Sequence, residues 1–351
     1  CSRSVLCALG SIVQNKTTEG FPGNRCHAGS AIADELEKTA AERAAQAFSA
    51  RYVNVQPHSG TTANQIVLNS VLNPGDRILS LGLDQGGHFS HGSDASCSGR
   101  IFETFSYGLD EGFRLDYAGL QELTRKLRPD MIICGATAYP RKIDFKRIRD
   151  IANETGAYVL ADISHISGLV IAGAHCSPVD YAHFTTTSTY KPGGPRGGII
   201  VMGRDYTSPN RNCTGRIPLW KSLEKTTFPG VQGTPYLNHI AAKAVFFKEA
   251  LSDAYRFTQF RIVENAERLA ESLKGLGYDI LTGGTDNHMV LINSDSVSQK
   301  SGGTGIQKSL EQCGMMGTVS DIRSGGIREA VRLSRPEVTR NGMYMEEIEI
   351  K

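Results

Sequence analysis

Short apolar runs and helical stretches take turns along the middle of this chain: "RILSLG", "AGLQELTRKL", "MIICGAT", "FKRIRDIANETG", "AYVLADIS". Strand–helix–strand alternation of this kind implies a mostly parallel sheet with helices on both faces, an α/β fold. Upstream, "AIADELEKTAAERAAQAF" (31–48) and "ANQIVLNSVL" (63–72) carry helical periodicity and good helix formers, the second closed by "NPGD". The texture changes past residues 239–277, where one long helical stretch leads to "HMVLIN" and then "EAVRLSRPEVT". That pattern predicts a large domain over 1–250 and a smaller, incomplete α+β domain over 251–351, with the boundary near residue 250. The sequence shows no internal repeat or low-complexity tract. The chain starts at Cys1, so its amino end is expected to be missing.

Composition narrows the function classes. A formal net charge of +2 over 351 residues sets up no field that would draw nucleic acid or an anionic membrane. No apolar run approaches the roughly 20 residues that span a bilayer. The eight cysteines include no C-x-x-C pair, which argues against a disulfide scaffold or structural zinc and for a reducing, cytoplasmic setting. His88 and His91 in "DQGGHFSHG" have no acidic or cysteine partner at ligand spacing, so no metal site is expected.

Ligands of open parallel sheets bind at the carboxyl ends of the strands. "AYVLADIS" puts Asp162 at such an end, and "AHFTTTST" puts Lys191 just past the next one. In "NVQPHSGTTANQ", Ser59, Gly60 and Thr61 stand just before a helix, where free N–H groups and the helix dipole suit a phosphate. His88 offers a flat ring to lie against a flat ligand. A phosphate cradle, a stacking ring, a carboxylate and a lysine match the needs of pyridoxal phosphate. The carboxylate keeps the pyridine nitrogen protonated, and the lysine holds the aldehyde as an imine.

The order of these blocks, with "ADISHISGLVIAG", "TTTSTYK…GPRGG", "FPGVQGTP", "AAKAVFFKEAL", "GGTDNHMVLI" and "VRLSRPEVTRNGM", resembles the serine hydroxymethyltransferase family over nearly the whole length. The resemblance implies a fold-type-I pyridoxal-phosphate enzyme. It implies that Lys191 carries the cofactor, Asp162 pairs with the pyridine nitrogen and His88 stacks. Ser59, Gly60 and Thr61 would hold the phosphate, and His165 would approach the cofactor's phenolic oxygen or the substrate carboxylate. Arg332 would clamp that carboxylate with its fork of donors, and Glu19 would be the acid/base group beside the substrate hydroxyl. Gly233 and its neighbours would reach the phosphate from the partner subunit, so a homodimer with shared sites is expected.

Departures from the family pattern bear on substrate. In "KTTEGFPGNRCHAG", Thr17, Cys26 and His27 stand where active-site tyrosines belong. Tyr190 replaces a histidine before the lysine, Thr234 a glycine and Arg335 a small residue, and the folate-lining loop shrinks to "GTVSDIRSGG" (317–326). The expected activity is therefore making or breaking the Cα–Cβ bond of a β-hydroxy amino acid through a glycyl carbanion, without tetrahydrofolate. That is the L-threonine aldolase or transaldolase type, with His27 and Arg335 as candidates for recognising the acceptor aldehyde. The alternatives are a tetrahydrofolate-dependent serine or α-substituted serine hydroxymethyltransferase, and a relative kept for binding or regulation.

Overall fold

The structure, a computed structural model, describes residues 1–213, 215–298, 300–324, 327–334 and 336–340. A two-residue ribbon, β1 (Gly20–Phe21) with β2 (Asn24–Arg25), precedes the main sheet. The main sheet has seven strands: β3 (Tyr52–Asn54), β4 (Arg77–Leu81), β5 (Glu103–Tyr107), β6 (Met131–Cys134), β7 (Tyr158–Asp162), β8 (Phe184–Ser188) and β9 (Gly198–Met202). Their spatial order is β3-β9-β8-β7-β6-β4-β5. Strands β5, β4, β6, β7 and β8 pair in parallel, and β9 runs against both of its neighbours.

Side chains of a strand alternate between faces, and here both faces are covered. Ile132, Cys134, Val159, Ala161, Ile199 and Val201 join one core with Ala40, Ala44 and Phe48 of the helix Ala31–Phe48 and with Phe246 and Phe247 of the helix Leu237–Ala250. Met131, Ile133, Leu160, Phe184, Ile200 and Met202 join a second core with Ala63, Ile66 and Val67 of the helix Gly60–Val71. A strand buried on both faces reads as a continuous apolar run, which is why "MIIC" and "GIIVM" carry no alternation. Each fully buried Ile, Leu or Phe in these layers contributes roughly 1.5–3 kcal/mol of transfer free energy.

After residue 250 a three-stranded antiparallel sheet forms in the order β10 (Met289–Asn293), β12 (Ile327–Ser334), β11 (Thr318–Ser324). It packs Val290 and Ile292 against Ala266, Leu269 and Leu273 of the helix Asp253–Gly275. Two expectations change here. The stretch 239–277 is two helices, Leu237–Ala250 and Asp253–Gly275, because the Ser252 side chain accepts from the Tyr255 N–H and starts the second one. The segment read as a shortened loop is largely strand β11, paired with β12 through Thr318–Arg332 and Val319–Val331. Among the described residues no helix is long and apolar enough to cross a membrane.

Candidate active site

A cavity of about 200 Å³ opens at the carboxyl ends of the parallel strands. Ser59 reaches it from the end of the turn after β3 as the cap of the helix Gly60–Val71, and Gly60 and Thr61 from the first turn of that helix rather than from ahead of it. His88 and His91 reach it from the loop after β4. Thr137 follows β6, Asp162, Ser164 and His165 end or follow β7, and Ser188, Tyr190, Lys191 and Arg196 end or follow β8. The crevice beyond the strand ends thus gathers side chains that are far apart in sequence.

Asp162 is buried on the cavity floor. Its Oδ2 accepts from Asn64 Nδ2 at 2.8 Å and lies 3.0 Å from His91 Nε2, and its Oδ1 accepts from the Ser164 N–H at 3.0 Å. Burial alone would raise its pKa. The hydrogen bond and charge of His91, with Ser164 and Asn64, outweigh that and hold the carboxyl far below the usual carboxylate range. Asn64 is itself fixed, since its Oδ1 accepts from Thr186 Oγ1 at 2.6 Å and its Nδ2 also donates to Ser90 Oγ. Ser90 closes the network on His88, whose Nδ1 accepts from the Ser90 N–H and lies 2.8 Å from Ser90 Oγ. Burial and the neighbouring His91 lower the His88 pKa, so a neutral ring faces the cavity.

Lys191 Nζ donates to Ser188 Oγ at 3.3 Å and sits 5.0 Å from the centre of the Tyr190 ring, which the Arg196 guanidinium also approaches at 5.1 Å. The lysine loop is tied down from outside by Tyr255 Oη and Arg340 Nη2, both donating to the Pro192 carbonyl. Ser59 caps the helix Gly60–Val71, its Oγ accepting from the Thr62 N–H. The first N–H groups of that helix have no intrahelical acceptor. A Cβ on Gly60 would come within 3.3 Å of Ser164 Oγ and Ser188, so glycine lets the helix start close against the lysine strand. His165 has a pKa well below its ordinary value, through burial and the charges of Lys191 and Arg332. Arg332, in β12, donates to the Thr137 carbonyl at 2.5 Å, and burial lowers its pKa.

The remaining candidates stand apart from that lining. Glu19, His27, Gly233 and Thr234 form their own cluster. His27 Nε2 lies 3.2 Å from Glu19 Oε2, Thr234 Oγ1 donates to Glu19 Oε1 at 3.3 Å, and Gly233 comes close to the same oxygen. Arg335 lies outside the described residues. Reading the sequence missed Asn64, Ser164 and Thr186, and weighed His91 only as a metal ligand; these residues hold Asp162 or its partners. The available signal for Asn64 was a polar residue four positions after "HSG", and it looks like any other helix asparagine.

The donor set fits pyridoxal phosphate: N–H groups and hydroxyls for a phosphate, an ionised buried carboxylate for a ring nitrogen, a neutral imidazole and an amine. Fold and cavity together define a pyridoxal-phosphate-dependent α/β enzyme. The family model for serine hydroxymethyltransferase matches residues 1–350. The chain is 44% identical over 355 residues to the serine hydroxymethyltransferase of Methanosarcina barkeri (strain Fusaro / DSM 804), covering 99% of this chain and 83% of that protein. The chain belongs to the serine hydroxymethyltransferase family, whose members use pyridoxal phosphate.

Proposed function

We propose that this enzyme breaks and makes the Cα–Cβ bond of a β-hydroxy amino acid without folate, passing the glycine unit of a donor such as L-threonine to another aldehyde. The observation that carries the folate-independent reading is the Glu19–His27 pair. An imidazole stands at a tyrosine position and engages the carboxylate that the family resemblance places beside the substrate hydroxyl. Cys26 replaces a second tyrosine, which removes aromatic surface that would pack a pterin ring.

When bound, pyridoxal phosphate supplies the electron sink that lets the Cα–Cβ bond open. The chain's own residues do the rest. Ser59, Gly60 and Thr61 would hold the phosphate, and Lys191 would supply the amine for the cofactor aldehyde. Asp162 would hold a proton on the ring nitrogen, and His88 would offer its neutral ring to the cofactor's face. His165, kept neutral by its surroundings, donates to or accepts from the phenolic oxygen or the substrate carboxylate. Arg332 binds that carboxylate. Glu19 takes the proton of the β-hydroxyl as the carbon–carbon bond breaks, with His27 steadying its other oxygen. His27 would recognise the acceptor aldehyde; Arg335, the other candidate for that role, lies outside the described residues.

Because the Glu19 cluster lies outside the lining of the Lys191 cavity in the same chain, the reading includes a homodimer. In it Glu19, His27 and Gly233 complete the partner's site. Mixing Lys191→Ala with Glu19→Ala chains and refolding should then restore part of the activity that each lacks alone. It also divides the chain near residue 250, between the seven-stranded and three-stranded sheets.

A second reading, a tetrahydrofolate-dependent hydroxymethyltransferase, is favoured by the name of the Methanosarcina relative and by the retained Glu19. One assay separates the two. Holoenzyme given L-threonine alone should release acetaldehyde, and adding tetrahydrofolate should leave that rate unchanged. Glycine formation from L-serine that requires tetrahydrofolate, with no acetaldehyde from L-threonine, would reverse the choice.

A further inference from the structure

Lys243, in the helix Leu237–Ala250, is only 1% exposed, and none of the chemistry above uses it. Its Nζ donates to three backbone carbonyls: Val55 at 2.6 Å, Gly198 at 2.9 Å and Pro57 at 3.2 Å. These oxygens belong to the two segments that build the cofactor cavity. Val55 and Pro57 lie on the run from β3 into Ser59–Gly60–Thr61. Gly198 opens β9, at the far end of the lysine loop.

The two segments also touch each other here. The Gly198 N–H donates to the Pro57 carbonyl at 2.9 Å, and a Cβ on Gly198 would lie 2.1 Å from the Ser59 carbonyl oxygen. A Cβ on Gly197 would come within 2.5 Å of Lys243 Cε. Both glycines therefore leave room for the ammonium and for the turn it holds. An ammonium has three donors and no acceptor, so three carbonyls satisfy it fully without a carboxylate. Burial lowers the Lys243 pKa to about 7, and below that pH its three donors meet the three carbonyls at the junction where the turn before Ser59 meets the lysine loop.

We infer that Lys243 is a positioning residue for cofactor binding, a strut that fixes the phosphate-holding turn against the lysine loop by capping three carbonyls behind it. The inference rests on the reading of Ser59–Thr61 as the phosphate cradle. It predicts a loss specific to the phosphate group, because two of the three carbonyls, Val55 and Pro57, lead into the turn that meets the phosphate. Asp162 and His88 meet the ring instead, and Lys191 is held by Ser188 and by the bonds of Tyr255 and Arg340 to the Pro192 carbonyl.

The test compares apoprotein affinities for pyridoxal phosphate and for pyridoxal, which lacks the phosphate, by absorbance titration. Wild type, Lys243→Met, Lys243→Gln and, as a cradle control, Ser59→Ala are compared, each first checked by circular dichroism. Lys243→Met should weaken pyridoxal phosphate binding at least tenfold and change pyridoxal binding less than twofold. Lys243→Gln, which keeps two donors, should fall between Met and wild type, and it decides the question by the same readout if the Met variant does not fold. Equal weakening for both ligands, or no weakening for either, overturns the inference. If Ser59→Ala also leaves pyridoxal phosphate binding unchanged, the cradle reading fails. If only the Lys243 variants are neutral, the strut fails and the cradle stands.

Discussion

Asn64 stands 98 residues from Asp162 in the chain, yet its amide joins Asp162, Ser90 and Thr186 in one buried network. Removing one partner from such a network leaves the others unsatisfied, and a hydrogen bond to a buried charge is worth about 1.5–3 kcal/mol. Asn64→Ala should therefore lower the unfolding free energy in urea by about 2 kcal/mol. Thr186→Val, which removes only the hydroxyl behind the amide, should lower it by about 1 kcal/mol. Equal losses for the two would mean that Asp162 draws little from Asn64. Gly60 makes a separate demand. Gly60→Ala should fold, but its methyl would press Ser164 and Ser188 at 3.3 Å and spread the helix start from the lysine strand. A loss of about tenfold in pyridoxal phosphate affinity corresponds to about 1.4 kcal/mol. Unchanged affinity in a titration would show that the helix start can relax around a methyl group.

At the scale of elements, the ribbon β1–β2 brings Glu19 and His27 to the surface, and Arg25 anchors it. Its guanidinium donates to the carbonyls of Thr18 and Gly20 and pairs with Asp34 and with buried Glu37 on the helix Ala31–Phe48. Gln56 adds bonds to Glu37 and to the Gly20 carbonyl. Taking away one partner of a buried ion pair typically costs about 3–5 kcal/mol, more than replacing both by apolar groups. Arg25→Met should thus destabilise the protein more than Arg25→Met with Glu37→Leu, read as urea midpoints. Additive losses in the double variant would dispose of the pair as the anchor. The helix itself was legible in the sequence to the residue, because good helix formers fill most of its eighteen positions in one repeating pattern. The strand ends were legible too, so Asp162 and Lys191 could be placed in one crevice. What the sequence hid depends on contact across the chain. Nothing local separates Lys243 from a surface lysine of its helix, and nothing in "GTVSDIRSGG" shows that β12 will pair with it. The break at Leu251–Ser252 turns on a single capping serine within an otherwise helical pattern.

On the scale of the whole molecule, acid stability follows from histidines buried without charge. Burial, with Arg149 nearby, lowers the pKa of His183 to about 3, and burial with Arg332 nearby does the same for His288. Unfolding returns each to an ordinary value near 6.5, so below that pH the unfolded chain binds protons that the native state refuses. Stability is then lost as pH falls through 6.5 toward 3, by about 1.4 kcal/mol per pH unit for each such group. Glu224 works the other way. Burial and the nearby Glu37 raise its pKa to about 7, so the native state binds its proton more tightly than the unfolded chain does, and stability is gained as pH falls from 7 to about 4.5. It is only partly buried, so solvent discounts its share, and two histidines outweigh it. Between pH 7.5 and 5.5 the unfolding free energy of the apoprotein should drop by roughly 2 kcal/mol. Glu224→Gln should be more stable than wild type at pH 7.5 and should lose more on acidification, since the opposing carboxylate is gone. Urea midpoints at the two pH values for both proteins decide it. A wild-type midpoint that holds or rises at pH 5.5 would mean that His183 and His288 take up protons in the native fold. Arg149 and Arg332 would then have to move away from those rings.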